Sequence, residues 1–136
     1  MRSVVRAIII KDDSLLVIKR VKNNETYWVF PGGGVEDGED QMGALKRECK
    51  EELGVVVEVF EIMFEYPFIN KEFGEQHEYF YRCDIISGKI GTGDGPEYNN
   101  DSKYNGTYEP CWIKLNEVSN VDLRPLEIKD NILSQV

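Results

Sequence analysis

Two β-branched and aliphatic runs open the chain, residues 3–10 and 14–21, joined by Lys11-Asp12-Asp13. Apolar runs bounded by polar turn residues predict a hairpin, or two strands with a short connection. Asn23-Asn24-Glu25-Thr26 reads as a loop, and Tyr27-Trp28-Val29-Phe30 as a short strand that delivers the chain to Pro31 and three consecutive glycines. These glycines read as a tight turn leading into a helix. At about 100° per residue, Met42, Leu45, Cys49 and Leu53 fall within an arc of about 80°, the apolar stripe of an amphipathic helix. Asp40 is the natural N-cap and Gly54 the natural stop, so this helix covers roughly residues 40–53.

Beyond the helix, residues 55–66 read as a long strand and Pro67 to Gln76 as a polar loop dotted with aromatics. Residues 77–86 alternate, with His77, Tyr79, Tyr81, Cys83 and Ile85 on one face and Glu78, Phe80, Arg82, Asp84 and Ile86 on the other. Residues 87–108 hold glycines, Pro96 and several Asn and Asp, the composition of a long loop, and loops of that length are usually functional or mobile. Glu109 to Lys114 is a final strand, Leu115 to Val118 a short turn, and a closing helix over about 123–133 has Leu126, Ile128, Ile132 and Leu133 on its packing side. Strands on both sides of one helix, then strands and a terminal helix, give an α+β or α/β chain with a mixed sheet. No internal repeat or linker divides it, so one domain over 1–136 is expected.

Composition narrows the function classes. A formal net charge of −9 argues against a protein that grips a nucleic-acid backbone by bulk electrostatics, so DNA is excluded and RNA disfavoured as a partner. A small phosphorylated substrate stays open where metal ions supply positive charge locally. Cys49, Cys83 and Cys111 are odd in number and contain no C-x-x-C pair, which argues against a disulfide scaffold or a zinc site and for a reducing compartment. Ile8-Ile9-Ile10 stops at Lys11, so no signal-peptide core forms, and no apolar run approaches a membrane span; a cytoplasmic location is expected.

The chemistry concentrates on the first helix. Glu52 lies about 20° from Leu45 at the edge of the apolar stripe, Glu48 about 60° and Glu51 about 120° away. Glu48 pairs with Glu52 at i,i+4 and with Glu51 at i,i+3, so like charges crowd one edge, two of them close to the buried face where desolvation adds to the cost. A hard divalent cation, Mg²⁺ or Mn²⁺, relieves both problems by taking carboxylate oxygens. A solvated acidic face is the alternative for such a cluster standing alone. The glycines let the backbone approach a ligand closely, and no P-loop is present, since no Gly-Lys-Ser/Thr follows. His77, the only histidine, has no nucleophile elbow to serve and reads as a strand residue; Tyr27 and Trp28 read as packing.

Gly33, Glu39 six positions on, and Arg47-Glu48-Cys49-Lys50-Glu51-Glu52-Leu53-Gly54-Val55 match the Nudix box residue for residue, except that Cys49 stands where the family usually has an aliphatic side chain. A free cysteine behaves as a small hydrophobe, so the stretch resembles a working box. The resemblance implies a Nudix-type α/β/α sandwich around a central mixed sheet, with box helix and terminal helix on opposite faces. It implies metal ligands at Glu48, Glu51 and Glu52, the Gly32 carbonyl and, from the Gly95-Pro96-Glu97 segment, Glu97. It also implies catalytic parts for Glu51, Glu52 and Glu97, with Arg47 and Glu39 holding loop and helix in register. Arg20, Gly33, Gly34 and Tyr98 are the substrate-side candidates, with Tyr104 a further stacking residue.

By the same resemblance the substrate is a nucleoside diphosphate linked to a further group X, hydrolysed with Mg²⁺ (or Mn²⁺) to NMP and phosphorylated X or pyrophosphate. A homodimer is common among such proteins. Two other readings stay open: a Nudix module that binds a nucleotide without turnover, and an RNA 5′-end pyrophosphohydrolase. The proline that marks the ADP-ribose subgroup and the tyrosine of the dinucleoside polyphosphate subgroup are both missing, Lys71, Glu72 and Phe73 standing where they are looked for.

Overall fold

The computed structural model describes residues 2–72, 74–95 and 106–135. The first apolar run divides between two sheets. Strand β1 (Arg2–Ile8) pairs antiparallel with β5 (Gly32–Gly34) and parallel with β7 (Gly74–Gly88). Past Ile9 the chain enters the second sheet, where β2 (Ile10–Lys11) and β3 (Ser14–Lys22) form a hairpin through Asp12 and Asp13, at φ 51° and 60°. Two successive left-handed residues suit the twist of a two-residue hairpin, and Asp and Asn tolerate that conformation. Asn23 and Asn24 repeat the device at φ 53° and 63°, so β4 (Glu25–Val29) starts at Glu25 and the expected four-residue loop shrinks to two.

The first sheet has the order β5-β1-β7-β6, with β6 (Val55–Asn70) antiparallel to β7. The second has the order β2-β3-β4-β9, with β8 (Glu109–Lys114) also paired to β3 and β9 (Leu123–Arg124) parallel to β4. The layer is therefore mixed, as the α+β class requires, but split into two sheets. Helices α1 (Gln41–Leu53) and α2 (Leu126–Gln135) cover its two sides. Strand alternation explains how. Val5, Ala7, Leu16 and Ile18 pack with Ala44, Leu45, Cys49 and Leu53 of α1. Their neighbours Ile8, Leu15 and Val17 pack with Phe30, Phe80 and with Ile128 and Ile132 of α2. Each fully buried side chain of this size contributes roughly 1.5–3 kcal/mol, so both helices draw their stability from the same two strands.

Several boundaries differ from the sequence reading. The three glycines form a strand along β1, not a turn. The expected loop after Pro67 is mostly strand, since β6 continues to Asn70 and pairs Pro67 with His77 and Asn70 with Gly74. Strand β6 lies at a sheet edge, the place where a proline is tolerated in a ladder. The turn after β8 is a 3-10 helix, Leu115–Asn120. The closing helix begins three residues late because Leu123 and Arg124 pair with β4 and Pro125 follows, a residue suited to a helix start and not to its interior. Leu126 is exposed, while Ile128 and Ile132 are buried and Leu133 packs at the core's margin.

The caps of α1 fall as read. Asp40 accepts from the Gly43 N–H at 2.6 Å, and Gly54, at φ 81°, donates to the Lys50 carbonyl at 3.0 Å. Its buried face is rotated toward the glutamates, however. Met42 is exposed and Ala44 is buried in its place. Glu52 thus sits near the middle of the buried face and not at its edge. Among the described residues no helix is long and apolar enough to cross a membrane.

Candidate active site

Strand β5 carries no side chains, and this decides how near α1 approaches the sheet edge. A Cβ at Gly33 would lie 2.6 Å from the Glu48 carboxylate carbon, so that carboxylate rests directly on the strand's backbone. Glu52, only 5% exposed, accepts from the Gly32 N–H at 3.1 Å through Oε1. Burial pushes the Glu48 carboxyl above its ordinary range; Arg47 opposes this by charge and hydrogen bond, while Glu51 adds like-charge repulsion.

Arg47 ties loop, strand and helix together. Its Nε and Nη2 grip both oxygens of Glu39 at 2.8 and 3.0 Å, and Nη2 also donates to the Gly34 carbonyl at 3.1 Å. Nη1 donates to Glu48 Oε1 at 3.0 Å and to Glu51 Oε2 at 3.2 Å. The Arg47 bond and the Glu36 N–H hold the Glu39 carboxyl below its usual range. A bidentate guanidinium–carboxylate pair with further acceptors is directional, which suits a residue that fixes register.

These carboxylates line a cleft of about 240 Å³, together with Gly32, Gly33 and Gly34 and the side chains of Arg2, Arg6 and Arg20. Arg20 donates from Nε to the Thr107 carbonyl at 2.9 Å and lies 3.8 Å over the Tyr108 ring, which also lines the cleft. Arg2 donates to Gln76 Oε1 at 3.0 Å. Arg6 is paired with Glu78 at 2.9 Å and donates to the Phe30 carbonyl at 3.3 Å. Burial works against the charge on Arg6, but the field and hydrogen bond of Glu78, with Glu52 and Glu48 behind it, outweigh burial and hold its pKa above the ordinary value. A chain of net charge −9 thus gathers three guanidinium groups in the cleft that its acidic helix edge lines.

Gly32, Gly33, Gly34, Arg20, Glu48 and Glu52 are brought together here. Glu51, from the same helix, is turned onto Arg47. Glu97, Tyr98 and Tyr104 lie outside the described residues. The chain leading to them is fixed against the end of α1 by the Gly91 N–H on the Leu53 carbonyl at 3.1 Å and the Gly95 N–H on the Glu51 carbonyl at 2.9 Å. His77 is bonded to Glu65 at 3.0 Å and stacked on Tyr79, outside the cleft lining. Trp28 packs on the second core as read, whereas Tyr27 lines the cleft and lies under the Arg124 guanidinium at 4.2 Å. Sequence reading missed Arg2, Arg6 and Glu78. The available signal was a pair of arginines on one face of an otherwise apolar strand.

Among the described residues no three acidic, His or Cys side chains converge on one point as a ready metal cage. The donor set still fits Mg²⁺, which is commonly bound through one or two carboxylates, with waters and substrate phosphates completing its shell.

A family model described as the NUDIX domain matches residues 1–133. The ADP-ribose pyrophosphatase of Methanocaldococcus jannaschii is 38% identical over 93 residues, which cover 66% of this chain and 54% of that protein. The chain thus spans about half the length of this relative, and a smaller share of some others it matches. Nucleoside triphosphatase NudI of Escherichia coli is 28% identical over 130 residues, covering 90% of this chain and 88% of the relative. The solution structure of the E. coli ORF135 protein superposes with a TM-score of 0.74 at 24% identity, covering 98% of this chain and 89% of that one, and shows the shared fold. With the box residues Gly33, Glu48 and Glu52 lining one cleft and the match running almost the full length, the chain belongs to the NUDIX domain family.

Proposed function

We propose that this chain is a divalent-metal-dependent pyrophosphohydrolase acting on a nucleoside diphosphate linked to a further group X. The observation that carries this reading is the cleft itself, which the Glu48 and Glu52 carboxylates line together with three arginines and the backbone of a strand without side chains. Glu48, Glu52 and the Gly32 carbonyl would hold Mg²⁺, with Glu51 and Glu97 as further ligands. The bound cation supplies charge neutralisation on the diphosphate and a more acidic water.

The chain's own residues do the remainder. Arg20, Arg2 and Arg6 offer N–H donors to phosphate oxygens, for which guanidinium geometry is suited. Arg47 keeps the helix edge in register with β5. As the attacking water forms its bond to phosphorus, the bridging P–O bond breaks and the leaving phosphate departs with the electron pair. The water's proton passes to one of the glutamate carboxylates, Glu51, Glu52 or Glu97. The relatives' names, an ADP-ribose pyrophosphatase and a nucleoside triphosphatase, support both nucleotide sugars and nucleoside triphosphates as candidates for X.

Phosphate release from a nucleotide panel, coupled to pyrophosphatase and phosphatase, tests the reading. Turnover of one substrate class is expected, lost on chelation and restored by Mg²⁺ or Mn²⁺. No turnover across the panel, with nucleotide still raising the melting temperature, would establish a binding module instead.

Gly33→Ala should separate folding from ligand placement. The new methyl meets the end of the Glu48 side chain and not backbone, so Glu48 swings aside and the fold survives. We expect Mn²⁺ affinity by titration calorimetry to fall about tenfold, with melting changed by only a few degrees. Unchanged affinity would remove Glu48 from the ligand set.

A further inference from the structure

Beside the cleft lies a second cavity of about 360 Å³, and Arg6 and Val29 line both. Its walls mix aromatic and apolar residues with the charged Arg6, Glu78, Arg124 and Glu127. Phe30 and Phe80 meet edge to face at 5.3 Å and 87°, with Tyr66, Phe68 and Pro125 alongside. Its size, with aromatic rings beside polar groups, is that of a small-molecule site. Two of the charged groups around it are already engaged. Arg124 is held by Glu25 and Asp122, and Glu127 is hydrogen-bonded to Tyr66.

The Arg6–Glu78 pair differs. Glu78 is only 7% exposed, and one oxygen takes the Arg6 Nε–H at 2.9 Å. Its other oxygen makes no hydrogen bond among the described residues. Arg6 commits Nε to Glu78 and one Nη1–H to the Phe30 carbonyl, leaving three of the five guanidinium donors without a partner among the described residues. With Glu78 buried and Arg6 half-buried, this acceptor and these donors are placed to meet the polar edge of a ligand in the cavity.

We propose that Arg6 and Glu78 form a specificity pair that reads the edge of a planar nitrogen heterocycle, the base of the substrate, held in the Phe30–Phe80 cavity. A nucleobase edge presents ring acceptors beside N–H donors, and it meets arginine donors and a carboxylate acceptor in kind. Arg6 carries the contact at the boundary with the cleft, so base and diphosphate occupy adjoining cavities. Glu78 both accepts from the base and orients Arg6. This rests on the hydrolase reading only for the placement of the diphosphate, and it is tested by binding, independently of turnover.

The test measures calorimetric affinities of the α,β-methylene analogues of ADP, GDP, CDP and UDP, with Mg²⁺. The wild-type chain should separate the strongest from the weakest base by about tenfold or more, because a site built to hydrogen-bond one edge rejects another. Glu78→Gln should reduce that spread to about twofold. The double variant Arg6→Gln, Glu78→Gln, which removes both charges of the pair together, should do the same. In Glu78→Gln, Mn²⁺ affinity without nucleotide should stay within about twofold, a readout that a disrupted fold would move. An absence of base discrimination in the wild type overturns the proposal. A spread that survives in the variants overturns it as well, as does a parallel loss of Mn²⁺ affinity in Glu78→Gln, which would make the pair a support for the cleft. Failure of the hydrolase reading appears separately, as absent turnover in the coupled assay.

Discussion

Glu52→Gln should abolish metal-dependent turnover while leaving the fold in place. Glu52 is buried and accepts the Gly32 N–H through Oε1. Glutamine keeps that oxygen and the side-chain volume, so the bond persists and only the charge is lost. If the carboxylate is a metal ligand, its loss removes several kcal/mol of transition-state charge stabilisation, and kcat should fall on the order of 10³-fold. The coupled phosphate-release assay measures the fall, and a thermal melt within a few degrees of wild type shows that it is not an unfolding effect. Turnover within tenfold of wild type would take Glu52 out of the reaction.

The largest effect on stability is expected at Gly32, one position from the milder Gly33 change. An alanine there would place its Cβ 1.9 Å from the Val5 carbonyl oxygen, an atom of the paired strand. Gly32 also sits at φ +142°, a region that side-chain-bearing residues rarely enter. Neither fault can be relieved by a rotamer change, because the obstacle is backbone and the strand is held by the register Arg6 to Gly32. We expect Gly32→Ala to cost about 4 kcal/mol or more, enough to leave little folded protein. Circular dichroism and denaturant melts check this. A cooperative melt within about 1 kcal/mol of wild type would mean that β5 can detach from β1 cheaply.

Much of the site could be read before the fold was known because it is local. Asp40, Gly54 and the three glutamates lie within fifteen residues, and helix geometry alone places them along one edge. Arg47 and Glu39 are separated by the N-cap and first turns of α1 and meet as the box resemblance implied. What escaped is what depends on distant pairing. Arg6 and Glu78 are 72 residues apart and meet only because β1 lies parallel to β7. The extension of β6 past Pro67 escaped because Pro67, Asn70 and Lys71 look like loop residues, and only pairing with β7 keeps Pro67–Asn70 extended. Met42 was placed in the core and Glu52 at its margin because the helix wheel was centred on apolar residues alone. The actual rotation is set by the bare β5 edge, which lets carboxylates approach.

The shared use of β1 by two cores also governs which changes of chain length this protein tolerates. Side chains alternate with a period of two, so deleting Ala7 would reverse the facing of the residues upstream of it and send Val5 to the α2 side. The same slip would turn Arg6 away from Glu78. No nearby substitution repairs such a change, because every residue upstream of it shifts at once. The turn at Asp12–Asp13 carries neither core, and an insertion there leaves the alternation of both flanking strands intact. Among relatives that keep this cleft, insertions and deletions should therefore collect in the hairpin tips, while β1 drifts by substitution at fixed length.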